Sequence, residues 1–313
     1  MALHLKAASK SDVGKQREQN EDACYVYIAE GNHQVAGLFV VADGMGGYHG
    51  GEIASKIAVE TISEQLQSVF APVSNQSTVK LKNRGKRGKA AKAAGRSTEA
   101  VATADTPEAL PEPETPARPE GGAETQHLGE TLALEHYGEK LRAAIEQSSE
   151  AIVEYGRKHP EARGLGSTVT AALVIGDQAF VANVGDSRTY LFRDGRLQRI
   201  TRDHSLVERL VEAGQIEPDD VYDHPHRNLI YRSLGANKAE VEVDLFTEQL
   251  QPGDALLLCS DGLWEMVRDP QITTILAEMS DPARTGDTLV DLANENGGED
   301  NITAVLVRYV EPE

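Results

Sequence analysis

"STVTAALVIGDQAFVANVGDSRTYLFRDGRLQRIT", residues 167–201, alternates apolar, strand-forming segments with the pairs Gly176-Asp177 and Asp194-Gly195. Val, Ala, Leu and aromatic residues suit a pleated, buried surface. Gly-Asp and Asp-Gly pairs supply the tight turns of hairpins, and strands joined by such turns run antiparallel. Further out, "AGLFVVAD" (36–43) and "DNITAVLVRYV" (300–310) read as strands, and "DALLLCSDGLWEMV" (254–267) as a strand running into a turn and a short helix. "EIASKIAVETISEQLQSVF" carries apolar residues at 53, 57, 62, 66, 69 and 70, and "LRAAIEQSSEAIVEYGRK" at 141, 145, 152, 153 and 155. Both spacings predict amphipathic helices. Hairpin-joined strands with helices in separate blocks point to an α+β protein built on antiparallel sheets rather than a βαβ nucleotide fold.

Bulk composition narrows the function. The 313 residues are 40% hydrophobic and carry a formal net charge of −19, so nucleic acid is disfavoured as a partner of the body, because phosphate binding calls for a basic surface. The two cysteines, Cys24 and Cys259, sit in apolar contexts and make no disulfide framework, which fits a reducing compartment. No stretch approaches 18 consecutive apolar residues, so neither a membrane span nor a signal peptide is expected, and the cytoplasm is the expected location. Composition breaks once, at residues 71–128. "KLKNRGKRGKAAKAAGR" (80–96) has eight positive charges and no negative one, and an acidic, proline-rich half follows. A segment with so little apolar surface is read as a disordered insertion between the first two helices of one domain. It can serve as a tether, as a docking tail or as a basic patch folding back on the acidic body.

The chemistry lies in carboxylates at strand ends. Asp43 in "VVADGMGG", Asp261 in "LLLCSDGLW" and Asp300 in "GGEDNITAVLV" each stand where an apolar run stops or starts, and Asp186 and Glu21 join them. A single Asp-Gly of this kind is an ordinary turn. Several gathered at one end of a core repel each other and resist desolvation unless neutralised, and divalent cations with oxygen preference, Mg²⁺ or Mn²⁺, do that. Glycines after Asp43 let the backbone bend and bring the Gly44 carbonyl within ligand distance. The histidines are scattered, and neither Gly-Lys-Ser/Thr nor GxGxxG occurs, which sets aside zinc and the phosphate-cradling loops.

"REQNEDA", "VVADGMGG", "GLGSTVTAALV", "VANVGDSRTYLF", "TRDHSLVERLVEAGQI", "LLCSDGLWEMV" and "GGEDNITAVLV" follow one another in the order seen in the metal-dependent type 2C Ser/Thr protein phosphatases, and the chain resembles their bacterial branch over about residues 8–310. The resemblance implies a four-layer α-β-β-α sandwich with two Mn²⁺ or Mg²⁺ ions at one end. It implies that Asp43 bridges both ions, that Glu21 and the Gly44 carbonyl serve one, and that Asp261 and Asp300 hold the other, with Asp22 supporting them from behind. Arg17 matches the family's phosphate-binding arginine, and Asp186 the ligand of a third, weaker metal site. Hydrolysis of phosphoserine and phosphothreonine on proteins by a metal-bridging water follows, with Asp43, Asp261 and Asp300 as the catalytic acids. Substrates would be a bacterial Ser/Thr kinase and its targets, and the protein a monomer.

Two positions depart from the family pattern. Met45 replaces a histidine proposed as general acid in eukaryotic members, and Glu265 stands where many members have an aspartate, which bears on the third metal site. Residues 203–235 resemble the bacterial flap, a charged helical hairpin beside the active site. The rival readings are a silent pseudophosphatase that binds phosphoproteins, and a metal-dependent hydrolase acting on nucleic acid or small phosphates.

Overall fold

The two predicted hairpins form. In the computed structural model, which describes residues 3–29, 35–46, 50–70, 123–162, 164–236 and 240–311, strand β5 (Val169–Ile175) pairs antiparallel with β6 (Gln178–Val184), and β7 (Arg188–Arg193) with β8 (Arg196–Arg199). Asp194 and Gly195 take φ of 50° and 74°, the consecutive left-handed pair of a type I′ turn. The stretch between β6 and β7 is different. It carries the chain from one sheet to the other, and Gly185 crosses over at φ 107°. A Cβ there would lie 2.6 Å from the Thr168 methyl, so only glycine permits the crossing.

One sheet has the order β1-β12-β11-β7-β8, with β1 (His4–Asp12), β11 (Ala255–Cys259) and β12 (Ile302–Val310). The other runs β10-β6-β5-β3-β4-β9, where β3 is Ala36–Met45, β4 Gly166–Ser167, β9 Leu234–Gly235 and β10 Asp244–Gln249. Strand β2 (Asp22–Ile28) pairs with β3. In β3, Phe39 and Val41 point into the core between the sheets with Leu256, Leu258 and Val305, while Leu38 and Val40 point outward, the two-residue period of a strand buried on both faces. Helices α1 (Gly50–Phe70) and α2 (Ala123–Lys158) cover that outward face with Ile62, Leu66, Leu141 and Ile145. Each of these is at most 1% exposed, a burial that contributes about 1.5–3 kcal/mol per side chain. On the far side, α5 (Asp269–Glu278) and α6 (Pro282–Glu295) pack Ile272, Leu276, Leu289 and Val290 on Tyr190, Leu257 and Leu306. Two antiparallel sheets flanked by helices result.

Two expectations need correction. Helix α2 begins at Ala123, inside the segment 71–128 read as disordered, because Ala, Glu, Gln and Leu after Gly121-Gly122 are strong helix formers. Residues 71–122 lie outside the described residues. Residues 203–235 do not form a helical hairpin. Helix α3 (Leu206–Glu212) is followed by a 3₁₀ turn at Pro218–Tyr222, and the returning limb is extended, with Leu206 N donating to Leu229 O and Tyr231 N to His204 O. Pro218 opens that turn at its first position, and Pro225 bars its continuation as a longer helix. No described helix is long and apolar enough to cross a membrane.

Candidate active site

Strand ends bring the acids together. The β2–β3 register sets Asp22 opposite Asp43. Asp261 opens the short helix α4 (Asp261–Trp264) directly after β11, and Asp300 precedes β12, the neighbour of β11. Asp186 sits on the inter-sheet crossing. Glu21, Asp43, Gly44, Asp186, Asp261, Asp300 and Arg17 all line one cavity of about 280 Å³. Asp22 stands behind the wall, its Oδ2 accepting from Ser260 Oγ at 2.7 Å. A larger cavity of about 630 Å³, bordered by Arg199, Tyr222 and Arg268, contains none of these acids, so chemistry and not size selects the site.

The backbone beneath the acids is clamped. Thr168 N donates to Asp43 O at 2.8 Å, Ser167 Oγ to the same oxygen at 3.0 Å, and Asp43 N to Thr168 Oγ1 at 3.1 Å. Gly44 N donates to Glu21 O, and a Cβ on Gly44 would lie 2.0 Å from the Gly51 carbonyl oxygen. The first turn of α1 therefore presses on the end of β3, and no side chain fits between them.

Electrostatics show what the acids lack. Desolvation, then Asp261, Asp22, Asp186 and Asp300, push the Asp43 carboxyl well above the usual range. Desolvation, then Asp186, Glu265 and Asp300, do the same to Asp261. Asp186 rises to about 7 through desolvation and then Asp203, and Asp22 to about 6 through desolvation. The Asp22 Oδ1 and Asp261 Oδ1 atoms are buried without a hydrogen-bond partner. Among the residues lining the cavity, Arg17 is the only cation; its Nη2 donates to Asp300 Oδ2 at 2.6 Å. One guanidinium does not balance five carboxylates, so the cluster fits bound cations. Among the described residues, no three His, Cys, Asp or Glu side chains converge as a ready ligand set for a single ion. All-oxygen donors of this kind suit Mg²⁺- or Mn²⁺-like ions, which keep several bound waters.

The two departures are also placed. Met45 lines the cavity. Glu265 Oε2 accepts from Arg227 Nε at 3.1 Å, and Arg227 Nη2 donates to Glu299 Oε2 at 2.9 Å, which ties the 203–235 segment to the rim. Asn228 and Ile230 of that segment also wall the cavity, with Thr168 and Asn301. Strand-end patterning did not mark these four, since only the tertiary fold carries them to the site. Asp186 is braced from behind: the Trp264 indole N–H donates to its carbonyl at 2.9 Å, and the Arg188 guanidinium lies 3.5 Å above the indole.

Comparison with known proteins agrees with this geometry. Residues 13–305 match the model of the protein phosphatase 2C family. The chain is 32% identical to the serine/threonine phosphatase stp of Listeria welshimeri, covering 97% of this chain and 95% of that one. It is 32% identical to the serine/threonine protein phosphatase PstP of Mycobacterium tuberculosis over 99% of this chain, which spans 46% of that longer protein. A crystal structure of the mycobacterial PstP superposes with a TM-score of 0.70 at 29% identity, covering 99% of this chain and all of the other. A structure of the PstP catalytic domain in complex with two manganese ions superposes at 0.68 and 28% identity. With motif order, fold and matched length in agreement, the chain belongs to the protein phosphatase 2C family and is an enzyme of the bacterial Ser/Thr protein phosphatase type.

Proposed function

We propose that this protein hydrolyses phosphoserine and phosphothreonine on other proteins, using two divalent ions held at the carboxylate cluster. The observation that carries the reading is the convergence of Glu21, Asp43, Asp261, Asp300 and Arg17 on one cavity. Asp43, central among the mutually repelling acids, is the residue we assign to both ions. Glu21 and the Gly44 carbonyl would hold one, Asp261 and Asp300 the other, and Asp186 would serve a third. Bound ions of this kind acidify a coordinated water and offset charge on phosphorus oxygens. Arg17 takes two phosphate oxygens in its planar fork, exchanging its present partner Asp300 for the substrate. Asp22, bonded to Ser260, fixes the start of β2 beneath Asp43. Met45 has no proton to give, so the departing serine or threonine oxygen takes its proton from water.

The relatives are named as phosphatases, which leaves a silent binding module without support. By the same likeness we assign a Ser/Thr kinase and its targets as substrates, a cytoplasmic location and a monomeric state. The test strips metal with EDTA and titrates Mn²⁺ or Mg²⁺ back, following phosphate release from a phosphothreonine peptide. Activity that returns with metal and is abolished in Asp261→Asn is expected. A folded, metal-loaded sample that releases no phosphate overturns the reading.

A further inference from the structure

Between the metal ligand Asp300 and strand β12 stands Asn301, only 4% exposed. We propose that Asn301 is the positioning residue that sets Arg17 for phosphate binding, an inference that rests on the phosphatase reading above. Its carboxamide reaches across to the loop that carries Arg17 and grips it from both sides. Nδ2 donates to Val13 O at 2.9 Å and to Gln19 O at 2.8 Å, four residues before Arg17 and two after it. Oδ1 accepts from Glu21 N at 2.8 Å. Both N–H donors and one of the two oxygen lone pairs of this amide are therefore spent on the loop, which is closed around a single buried side chain. The backbone N–H of Asn301 donates to Asp300 Oδ1 at 2.8 Å, while Arg17 holds Oδ2. One residue thus fixes the Asp300 carboxylate and the loop that brings Arg17 to it.

The other ties lie toward the ends of the loop: Gly14 N donates to Asp12 Oδ1 at 2.9 Å and Asn20 Nδ2 to Ser11 Oγ at 2.8 Å. Lys15 N and Gln16 N donate to Gly298 O, and Gly14 passes so close to Asp300 that a Cβ on it would lie 2.2 Å from the Asp300 carbonyl oxygen. The Arg17 side chain is itself half exposed, so packing does not define its direction. The asparagine carboxamide holds the backbone from which it projects, and Asp300 Oδ2 holds its Nη2. An aspartate of the same shape would lose both N–H donors and face two carbonyl oxygens with negative charge.

The test is a double-mutant cycle on the full chain at saturating Mn²⁺, reading inorganic phosphate affinity by calorimetry alongside KM and kcat for a phosphothreonine peptide. Asn301→Ala should weaken phosphate binding and raise KM about tenfold, as loss of a residue supporting a ligand does, with a smaller fall in kcat. Arg17→Ala should do the same, and the double variant should be no worse than Arg17→Ala alone. Additive losses overturn the proposal, as does a lowered melting temperature with phosphate affinity intact. Asn301→Ser takes the place of the alanine variant if that variant fails to fold. A parent protein whose phosphate affinity falls in Asn301→Ala and Arg17→Ala without additivity, yet which turns over no phosphopeptide, refutes the phosphatase reading and leaves this inference standing.

Discussion

Replacing Asp186 with Asn should stabilise the metal-free protein at alkaline pH and do little at acidic pH. Desolvation, then the neighbouring Asp203, raises this carboxyl from 3.8 to about 7 in the folded state. A raised acid pKa means the native state holds the proton more tightly than the unfolded chain does. Its contribution is therefore fully present below 3.8 and is lost as pH rises through about 7. A shift of roughly three units at about 1.4 kcal/mol each bounds the loss near 4 kcal/mol, and about 2–4 kcal/mol is a working range after relaxation. Asparagine carries no proton to lose. Groups with the opposite sign, such as His204 and Asp244, whose pKa values are lowered, are the same in both proteins and cancel in the difference. The assay is urea unfolding in EDTA, followed by circular dichroism from pH 4.5 to 8. Stability of the variant minus the parent should grow with pH to about 2–4 kcal/mol. With Mn²⁺ present the difference should shrink or reverse, because ion binding stabilises the native parent. A difference flat across pH, or a parent more stable than the variant at pH 8 in EDTA, would refute the account of an under-compensated carboxylate cluster.

Three further substitutions probe the scaffold. Gly44→Ala forces a Cβ against the Gly51 carbonyl at 2.0 Å and should cost more than about 3 kcal/mol or abolish folding, read by thermal melting; a fully stable variant would contradict the close approach of α1 to β3. Trp264→Phe removes the indole N–H from the Asp186 carbonyl and should cost about 1–3 kcal/mol by leaving that acceptor unpaired. It should also weaken Mn²⁺ binding in a calorimetric titration, and unchanged binding would disconnect the indole from the site. Ile62→Ala empties a fully buried position under α1 and should cost about 2–5 kcal/mol in urea unfolding, with metal affinity unchanged in the folded fraction.

Much of the site was legible because its acids interrupt apolar runs. A strand such as Leu38–Ala42 has to be apolar on both faces, since Leu38 and Val40 meet the helices while Phe39 and Val41 meet the other sheet, so the carboxylate that ends it stands out. Hairpins were legible for the same local reason, as Asp194-Gly195 writes its own turn. The crossing at Gly185 was not, since a glycine that lets the chain change sheets looks in sequence like one that closes a hairpin. Asn301, Thr168 and Trp264 escaped because their importance lies in partners far along the chain: Asn301 grips Val13, Gln19 and Glu21, and Trp264 braces Asp186. The helical hairpin at 203–235 was expected from the family resemblance alone, whereas Pro225 in this chain stops a second helix after the 3₁₀ turn.

The pairing of β1 with β12, from His4 opposite Val310 to Asp12 opposite Ile302, has a consequence for biosynthesis. Strand β1 has to wait until β12 has been made. Arg17 and Glu21, which follow β1, meet Asp300 and Asn301 only when that pairing closes. Such distant closure is slow relative to hairpins formed between neighbours. During translation helices α1 and α2 and the β5–β6 hairpin have the partners they need well before the acids of the cavity do. A nascent chain stalled before β12 therefore lacks the assembled carboxylate cluster, which closes only once β12 is free to pair with β1.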